Sequence, residues 1–163
     1  PADYLVALVQ EARQVPEAQV VTPVTAMSWQ SLDALRASKA TEAQRFSGTT
    51  CVCDQNGKAF WFSKIILPAM RKETKLRDAS DTSPVLKHVG LYGYRLEALQ
   101  RFVAAGESHY EALEGLEQLR ALELGMHIQV VKVPAAELAM SGIDTAEDLA
   151  DAEALVAKMG DDF

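Results

Sequence analysis

Apolar residues recur at helical spacing near the start of the chain: Tyr4, Leu5, Leu8, Val9 and Ala12 follow the i, i+3, i+4 rule, and Asp3 is placed to cap them. The spacing predicts a helix over about Ala2 to Val15. The pattern then changes. Gln19-Val20-Val21-Thr22-Pro23-Val24 is short and β-branched, which predicts a strand, and Pro23 predicts that this strand lies at an edge or ends there. Residues Ser28 to Phe46 read as one or two short helices. Two β-rich runs, Thr50-Cys51-Val52-Cys53 and Ala59-Phe60-Trp61-Phe62, flank Asn56-Gly57. They predict a hairpin over Thr49 to Lys64, closed by a type I′ turn. The stretch from Arg71 to Ser83 is polar, charged and aperiodic, as expected of a mobile surface loop. Strand character returns over Val85 to Tyr94.

Farther along, Ser108-His109-Tyr110-Glu111 matches a capping box and Gly125 supplies a left-handed stop, so one helix is predicted over about Tyr110 to Leu124. Its apolar stripe is Ala112, Leu113, Leu116, Leu119 and Leu122. On a continuous helix Arg120 and Glu123 fall inside that stripe, Glu117 lies at its margin and Gln118 on the opposite side. Charges on a buried face need internal partners, so Arg120 and Glu123 are expected to pair with each other or with neighbouring backbone. A strand follows at His127 to Val133. Thr145 and Asp148 then form a second capping box, which places Asp144 immediately before a helix running to about Met159. Strands alternating with helices around an inserted hairpin predict an α/β fold with a mixed sheet.

Composition narrows the function classes. The 163 residues carry no internal repeat, linker tract or compositional break, so a single domain over residues 1–163 is expected, large enough to bury a core without disulfides or structural metal. No apolar run approaches the roughly 18 residues of a membrane span, and no secretory signal opens the chain, which together point to the cytoplasm. With 23 Asp+Glu against 16 Lys+Arg, the balance is unsuited to neutralising phosphates along a nucleic acid. The one basic cluster, Arg71, Lys72, Lys75 and Arg77, is short and interrupted by Glu73. Cys51 and Cys53 lack the second ligand pair of a zinc site and read as small hydrophobes in a reducing compartment.

By residue chemistry alone the chain offers no nucleophile triad, no phosphate-cradling glycine loop and no paired metal motif. Four segments carry more information. They are Ala59-Phe60-Trp61-Phe62-Ser63-Lys64 with Leu67-Pro68 and Arg71; Lys87-His88-Val89-Gly90-Leu91-Tyr92-Gly93-Tyr94-Arg95; Glu114-Gly115-Leu116-Glu117-Gln118-Leu119-Arg120-Ala121-Leu122-Glu123; and Gly142-Ile143-Asp144-Thr145 with Glu147-Asp148-Leu149. In order and spacing the chain resembles the CMP-Kdo synthetase family, the cytidylyltransferases that activate 3-deoxy-manno-octulosonate (Kdo) for lipopolysaccharide assembly. The likeness covers nearly the whole chain. It implies an incomplete doubly wound, nucleotidyltransferase-like (Rossmann-like) mixed sheet with an inserted hairpin.

The resemblance also implies roles. A basic residue ending the hairpin approaches the acidic sugar in this family, and Lys64 occupies the place where Arg is usual; a strand-end lysine in solvent is the competing reading. Lys keeps a point charge but loses the two-pronged fit to a carboxylate. His88 and Tyr92 are associated with the sugar-acid pocket, and on an unbroken strand they would share a face about 13 Å apart. Neutral His and a phenol can donate to hydroxyl or carboxylate oxygens. Glu117 and Gln118 resemble sugar-hydroxyl contacts, against the alternative of a solvated helix face. Asp144 matches a magnesium ligand of the family, while for this chain by itself a helix-preceding cap is the simpler role. Thr49-Thr50 stands where the family usually has Val-Lys, which removes a positive charge.

Two family features are missing from the sequence: the strand and basic, glycine-containing loop that hold the CTP phosphates, and a Gln-Gly-Asp-Glu-Pro segment whose Asp helps bind magnesium. The chain is expected to start just after that segment, and Pro1 fits a processed, tagged or excerpted sequence. The implied function is the sugar-recognising, dimer-forming portion of a cytidylyltransferase that converts CTP and Kdo to CMP-Kdo and pyrophosphate, inactive alone and handling CTP only with the missing half. The alternative is a non-enzymatic remnant that binds an acidic sugar or assembles with a partner. Without the parent's first strands an apolar sheet edge would be open, so a homodimer or higher oligomer is expected.

Overall fold

The computed structural model describes residues 2–42, 44–135, 149, 150 and 153. The elements are α1 (Ala2–Gln14), β1 (Val20–Ser28), α2 (Trp29–Lys39), β2 (Thr50–Cys53), β3 (Ala59–Ser63), α3 (Glu73–Ala79), β4 (Thr82–His88), β5 (Gly93–Tyr94), α4 (Leu96–Ala104), α5 (His109–Glu114), α6 (Gln118–Glu123) and β6 (Ile128–Lys132). Strands run in the order β3-β2-β4-β1-β5, and β6 joins the other side of β1. The β1–β6 pair is parallel and the remaining pairs are antiparallel. This is the expected mixed sheet. None of the helices among the described residues is long and apolar enough to cross a membrane.

Side-chain alternation along β1 divides the core between the two faces of the sheet. Val20 and Val24 join Cys51, Phe62, Phe102, Leu116, Leu119 and Ile128 in the largest cluster. On the other face Val21 packs with Leu8 and Ala18, and Met27 packs with Trp29, Leu32 and Val85. The first helix and the hairpin strands fall where the sequence places them. Ser28 ends β1 and caps α2, its hydroxyl accepting from the Ser31 N–H at 3.1 Å.

Pro23 stands at neither an edge nor an end: β1 is the central strand and continues to Ser28. The sheet accommodates the missing N–H by breaking the neighbouring strand. Val89 N–H donates to Pro23 O at 3.1 Å while Val133 N–H donates to Val24 O at 2.9 Å, so Pro23 turns its backbone toward β4 and β5. Val24 pairs with His88 and Val21 with Gly93, leaving Thr22 and Pro23 opposite residues 89–92. The single strand expected over Val85 to Tyr94 is therefore two strands joined by a bulge.

The helix expected over Tyr110 to Leu124 is also two elements. Gly115 takes a left-handed conformation, φ +62°, ending α5 before α6 begins. The break leaves Leu113, predicted to be buried, 68% exposed and buries Gln118, predicted to face away. Arg120 and Glu123 do not pair with each other. Arg120 forks onto the Glu111 carboxylate at 2.7 and 2.5 Å and reaches the Phe102 and Ala105 carbonyls, whereas Glu123 accepts from the Ser108 hydroxyl and the Tyr110 N–H.

The stretch expected as a loop over Arg71 to Ser83 contains α3. Its order comes from charge pairing: Glu73 accepts from Arg36 at 2.8 Å and Arg77 at 2.7 Å, Asp33 also engages Arg77, and the Arg77 guanidinium lies 4.5 Å above the Trp29 ring. The hairpin turn is not type I′, because φ is positive at Gly57 and not at Asn56. Asp54 instead organises a longer loop, its carboxylate accepting from the Asn56 and Lys58 N–H groups. That tip reaches the outer edge of β6, where Val130 N–H donates to Gly57 O at 2.8 Å. The outer edge of β6 is thus covered at Gln129–Val130. The helix expected from Asp144 to Met159, with its Thr145–Asp148 cap, lies outside the described residues.

Candidate functional site

The broken strand and the broken helix meet over the ends of β3 and β4. His88 closes β4, and its ring packs edge-on against Phe62, centroids 5.0 Å apart. The bulge turns the chain back, bringing Tyr92 to 5.4 Å from His88, ring centroid to ring centroid, in place of the extended separation expected from sequence. The series continues through Tyr94, 6.0 Å from Tyr92, to Phe102, 5.6 Å from Tyr94. From α6, Gln118 meets this row: its Oε1 accepts from the Tyr92 hydroxyl at 3.0 Å.

Gln118 is 2% exposed, and among the described residues its Nε2 is the one buried side-chain nitrogen or oxygen atom without a partner. An unsatisfied buried amide costs of the order of 1–3 kcal/mol, which a ligand oxygen would recover. Exchanging the two ends of the amide changes which atom is orphaned and leaves one orphaned in either case. A ligand hydroxyl, donor and acceptor at once, serves both.

Electrostatics set the protonation states around this amide. Burial, reinforced by the Lys64 charge, pulls the His88 pKa from 6.5 down to about 4, so the imidazole is neutral at pH 7. Burial raises the Tyr92 phenol, with Glu117 and Tyr94 adding to it, and Tyr94 is pushed up to about 12 by burial and then by Glu117. Both phenols therefore stay protonated. The carboxylate of Glu117 belongs to this surroundings from the exposed side of the site.

Lys64 is half-buried, and its backbone is held at both ends. Its N–H donates to Glu114 Oε2 at 2.7 Å, and its carbonyl accepts from Lys39 Nζ at 2.5 Å. Glu114 also accepts from the Ser63 hydroxyl at 2.8 Å and from Trp61 Nε1 at 3.4 Å. Thr50 is fully buried; its hydroxyl donates to Ile65 O at 2.7 Å and accepts from Leu67 N–H at 3.0 Å. It shapes the chain just beyond Lys64.

His88, Tyr92 and Gln118 are thus in one cluster, with Lys64 and Glu117 near enough to perturb it. Asp144 lies outside the described residues. Among the described residues no group of three or more His, Cys, Asp or Glu side chains is placed to hold a metal ion. Residue reasoning passed over Glu114 and Thr22. Glu114 stands within a quoted motif without a role, and Thr22 shares the parity of the core residues Val20 and Val24, an available signal that a hydroxyl had been placed on the buried face.

Comparison with known proteins gives the family. The sequence matches the profile described as cytidylyltransferase over residues 6–128. It is 36% identical over 149 residues to the 3-deoxy-manno-octulosonate cytidylyltransferase of Maricaulis maris (strain MCS10), covering 91% of this chain and 54% of the relative. The corresponding protein of Vibrio campbellii (strain ATCC BAA-1116) is 32% identical over 166 aligned residues, 97% of this chain and 64% of the relative. The fold superposes on a CMP:2-keto-3-deoxy-manno-octonic acid synthetase solved with CTP, with a TM-score of 0.71 at 30% identity, covering 95% of this chain and 56% of the other. The chain spans about half the length of the curated relatives it matches. With its nucleotidyltransferase-like mixed sheet, the chain belongs to the cytidylyltransferase family, and within that family it is similar to the CMP-Kdo synthetases.

Proposed function

We propose that this chain carries the sugar-acid site of a cytidylyltransferase acting on CTP and 3-deoxy-manno-octulosonate. In that reaction the anomeric hydroxyl oxygen of the sugar acid bonds to the α-phosphorus of CTP, the bond from that phosphorus to the pyrophosphate oxygen breaks, and the hydroxyl proton leaves to solvent or base. The protein's part is positioning and charge complementarity. Lys64 supplies a cation for the acidic sugar, Tyr92 and Gln118 supply donor and acceptor groups for its hydroxyls, and Glu117 supplies an acceptor at the mouth. Asp144 would help to hold a magnesium ion, whose charge would offset that of the triphosphate.

The single observation that carries this reading is the orphaned amide of Gln118, buried beside a protonated phenol and a neutral imidazole. Titration calorimetry with 3-deoxy-manno-octulosonate, CMP and CTP tests it. The sugar acid is expected to bind and CTP not to bind, with no CMP-sugar formed by the 163-residue chain alone. Failure of the sugar acid to bind overturns the assignment, and turnover by the isolated chain overturns the expected inactivity.

We also read the chain as a homodimer of the cytoplasm. Support for assembly comes from Leu96, Leu99 and Val103, an apolar stripe on the outer face of α4 that is 70%, 39% and 71% exposed. Light scattering is expected to give twice the 17.8 kDa of one chain; a monomer at high concentration overturns this part.

A further inference from the structure

Thr22 is fully buried in the central strand, with its Oγ1 between two groups. One is the Leu91 carbonyl at 2.8 Å, with Val89 O at 3.5 Å; the other is His88 Nε2 at 2.8 Å. A hydroxyl has one hydrogen, and a carbonyl can only accept. The Thr22 hydrogen is therefore committed to Leu91 O, since withholding it would leave two oxygens 2.8 Å apart with no proton between them. His88 Nε2 must then be the donor to Thr22. The ring is neutral, so it carries a single N–H, and Nδ1 is left as a bare lone pair with no partner among the described residues.

We propose that Thr22 is a positioning residue that locks His88 in the Nε2–H tautomer, so that His88 meets its ligand through Nδ1 as a hydrogen-bond acceptor and recognises a sugar hydroxyl and not the carboxylate. This rests on the sugar-acid reading and sharpens it. A carboxylate has no hydrogen to give, so it is repelled by a bare Nδ1; a polyol hydroxyl donates to it readily. The acidic group of the ligand is left to the cation of Lys64. The same hydroxyl holds the bulge: by binding Leu91 O inside residues 89–92 it ties the turn that carries Tyr92 to the ring of His88.

Long-range nitrogen–proton correlation NMR of the histidine rings tests the tautomer in the ligand-free protein, with no variant and no ligand required. The expected result is one dominant tautomer for His88 with Nε2 protonated and Nδ1 pyridine-like. A protonated Nδ1, or an averaged mixture of tautomers, overturns the proposal. On addition of 3-deoxy-manno-octulosonate the Nδ1 resonance is expected to shift while Nε2 keeps its proton; protonation of Nδ1 in the complex overturns the acceptor role. Thr22→Val is expected to lose the dominant tautomer and to weaken sugar-acid binding tenfold or more, and Thr22→Ser to restore both to within about twofold. A Thr22→Val protein that keeps the tautomer and the affinity overturns the positioning role. If the wild-type protein holds the Nε2–H tautomer but binds no sugar acid, the tautomer lock stands and the sugar-acid reading fails, so the two are separable.

Discussion

The Tyr92 hydroxyl donates to Gln118 Oε1 at 3.0 Å, joining the last residue of the bulge between β4 and β5 to one just beyond the break between α5 and α6. Two interruptions of regular structure meet in that bond, and the polar groups they bring inside are incompletely satisfied. A fold optimised for stability alone would fill this position with an apolar pair.

That contrast gives the first prediction. Replacing both partners, Tyr92→Phe with Gln118→Leu, removes the hydrogen bond and the orphaned amide together. The double variant is expected to match or exceed the wild-type stability in urea while sugar-acid binding falls at least tenfold by calorimetry. The single variant Tyr92→Phe leaves the whole Gln118 amide unpartnered and is expected to lose about 1–2 kcal/mol. A double variant that binds normally would remove these residues from the site.

The second concerns pH. His88 has a folded pKa of about 4 against 6.5 as its ordinary value. Between those values the unfolded chain binds more protons than the folded one, so stability rises with pH through the window and is fully present above about 6.5. As pH falls from 6.5 toward 4 the His88 contribution is lost, up to about 3 kcal/mol at the full shift. Urea titrations of the wild type and His88→Phe at a series of pH values check this: the wild-type curve should slope more steeply than the variant between pH 4 and 6.5. Parallel curves would rule out a buried neutral imidazole.

The third concerns the support under α5 and α6. Arg120 binds Glu111 through both guanidinium prongs and lies 4.4 Å above the Phe102 ring, tying the two helices to α4. Glu111 is 7% exposed and the Arg120 side chain 19%. Arg120→Met strands the carboxylate and is expected to cost about 2 kcal/mol, below the range for a fully buried pair because the guanidinium keeps some access to water. Adding Glu111→Gln to Arg120→Met should recover part of that loss. A cycle with no coupling would reduce the contact to an ordinary surface pair.

The chain disclosed the repeating parts of its fold and concealed the irregular ones. The hairpin strands, β6, a helix starting near Ser28, the capped start at Ser108 and the mixed sheet follow from local pattern, because period and capping chemistry act within a few residues. Pro23 misled because the rule confining proline to edges assumes a regular neighbour; here the neighbour bulges away from the missing donor. Helix α3 was hidden because its order comes from Arg36 and Asp33, about forty residues earlier in the chain. Helix α4 drew no prediction, although Leu96, Ala98, Leu99, Phe102 and Val103 recur at helical spacing; of these, Ala98 and Phe102 are buried. The candidate residues Lys64, His88, Tyr92, Glu117 and Gln118 came from resemblance to a family. The proximity of His88, Tyr92 and Gln118 depends on two breaks in regular structure.

The break at Gly115 was the more accessible of the two, and it yields the last prediction. A capping box before it and an apolar stripe through it favour one helix, and Gly alone among the residues opposes that reading. Gly115 adopts φ +62°, and a Cβ built on it would meet nothing within 4 Å. Substitution there is resisted by the backbone itself and not by crowding. Gly115→Ala is therefore expected to cost about 1 kcal/mol through the left-handed conformation, with the core intact. If the strain is relieved by drawing residues 115–117 toward a continuous helix, Gln118 rotates away from Tyr92, and sugar-acid affinity falls more than the small loss of stability explains. Gly115→Asn, which tolerates the left-handed region better, should retain more of both. Equal stability and affinity in Gly115→Ala and wild type would mean that the break is not what holds Gln118 in place.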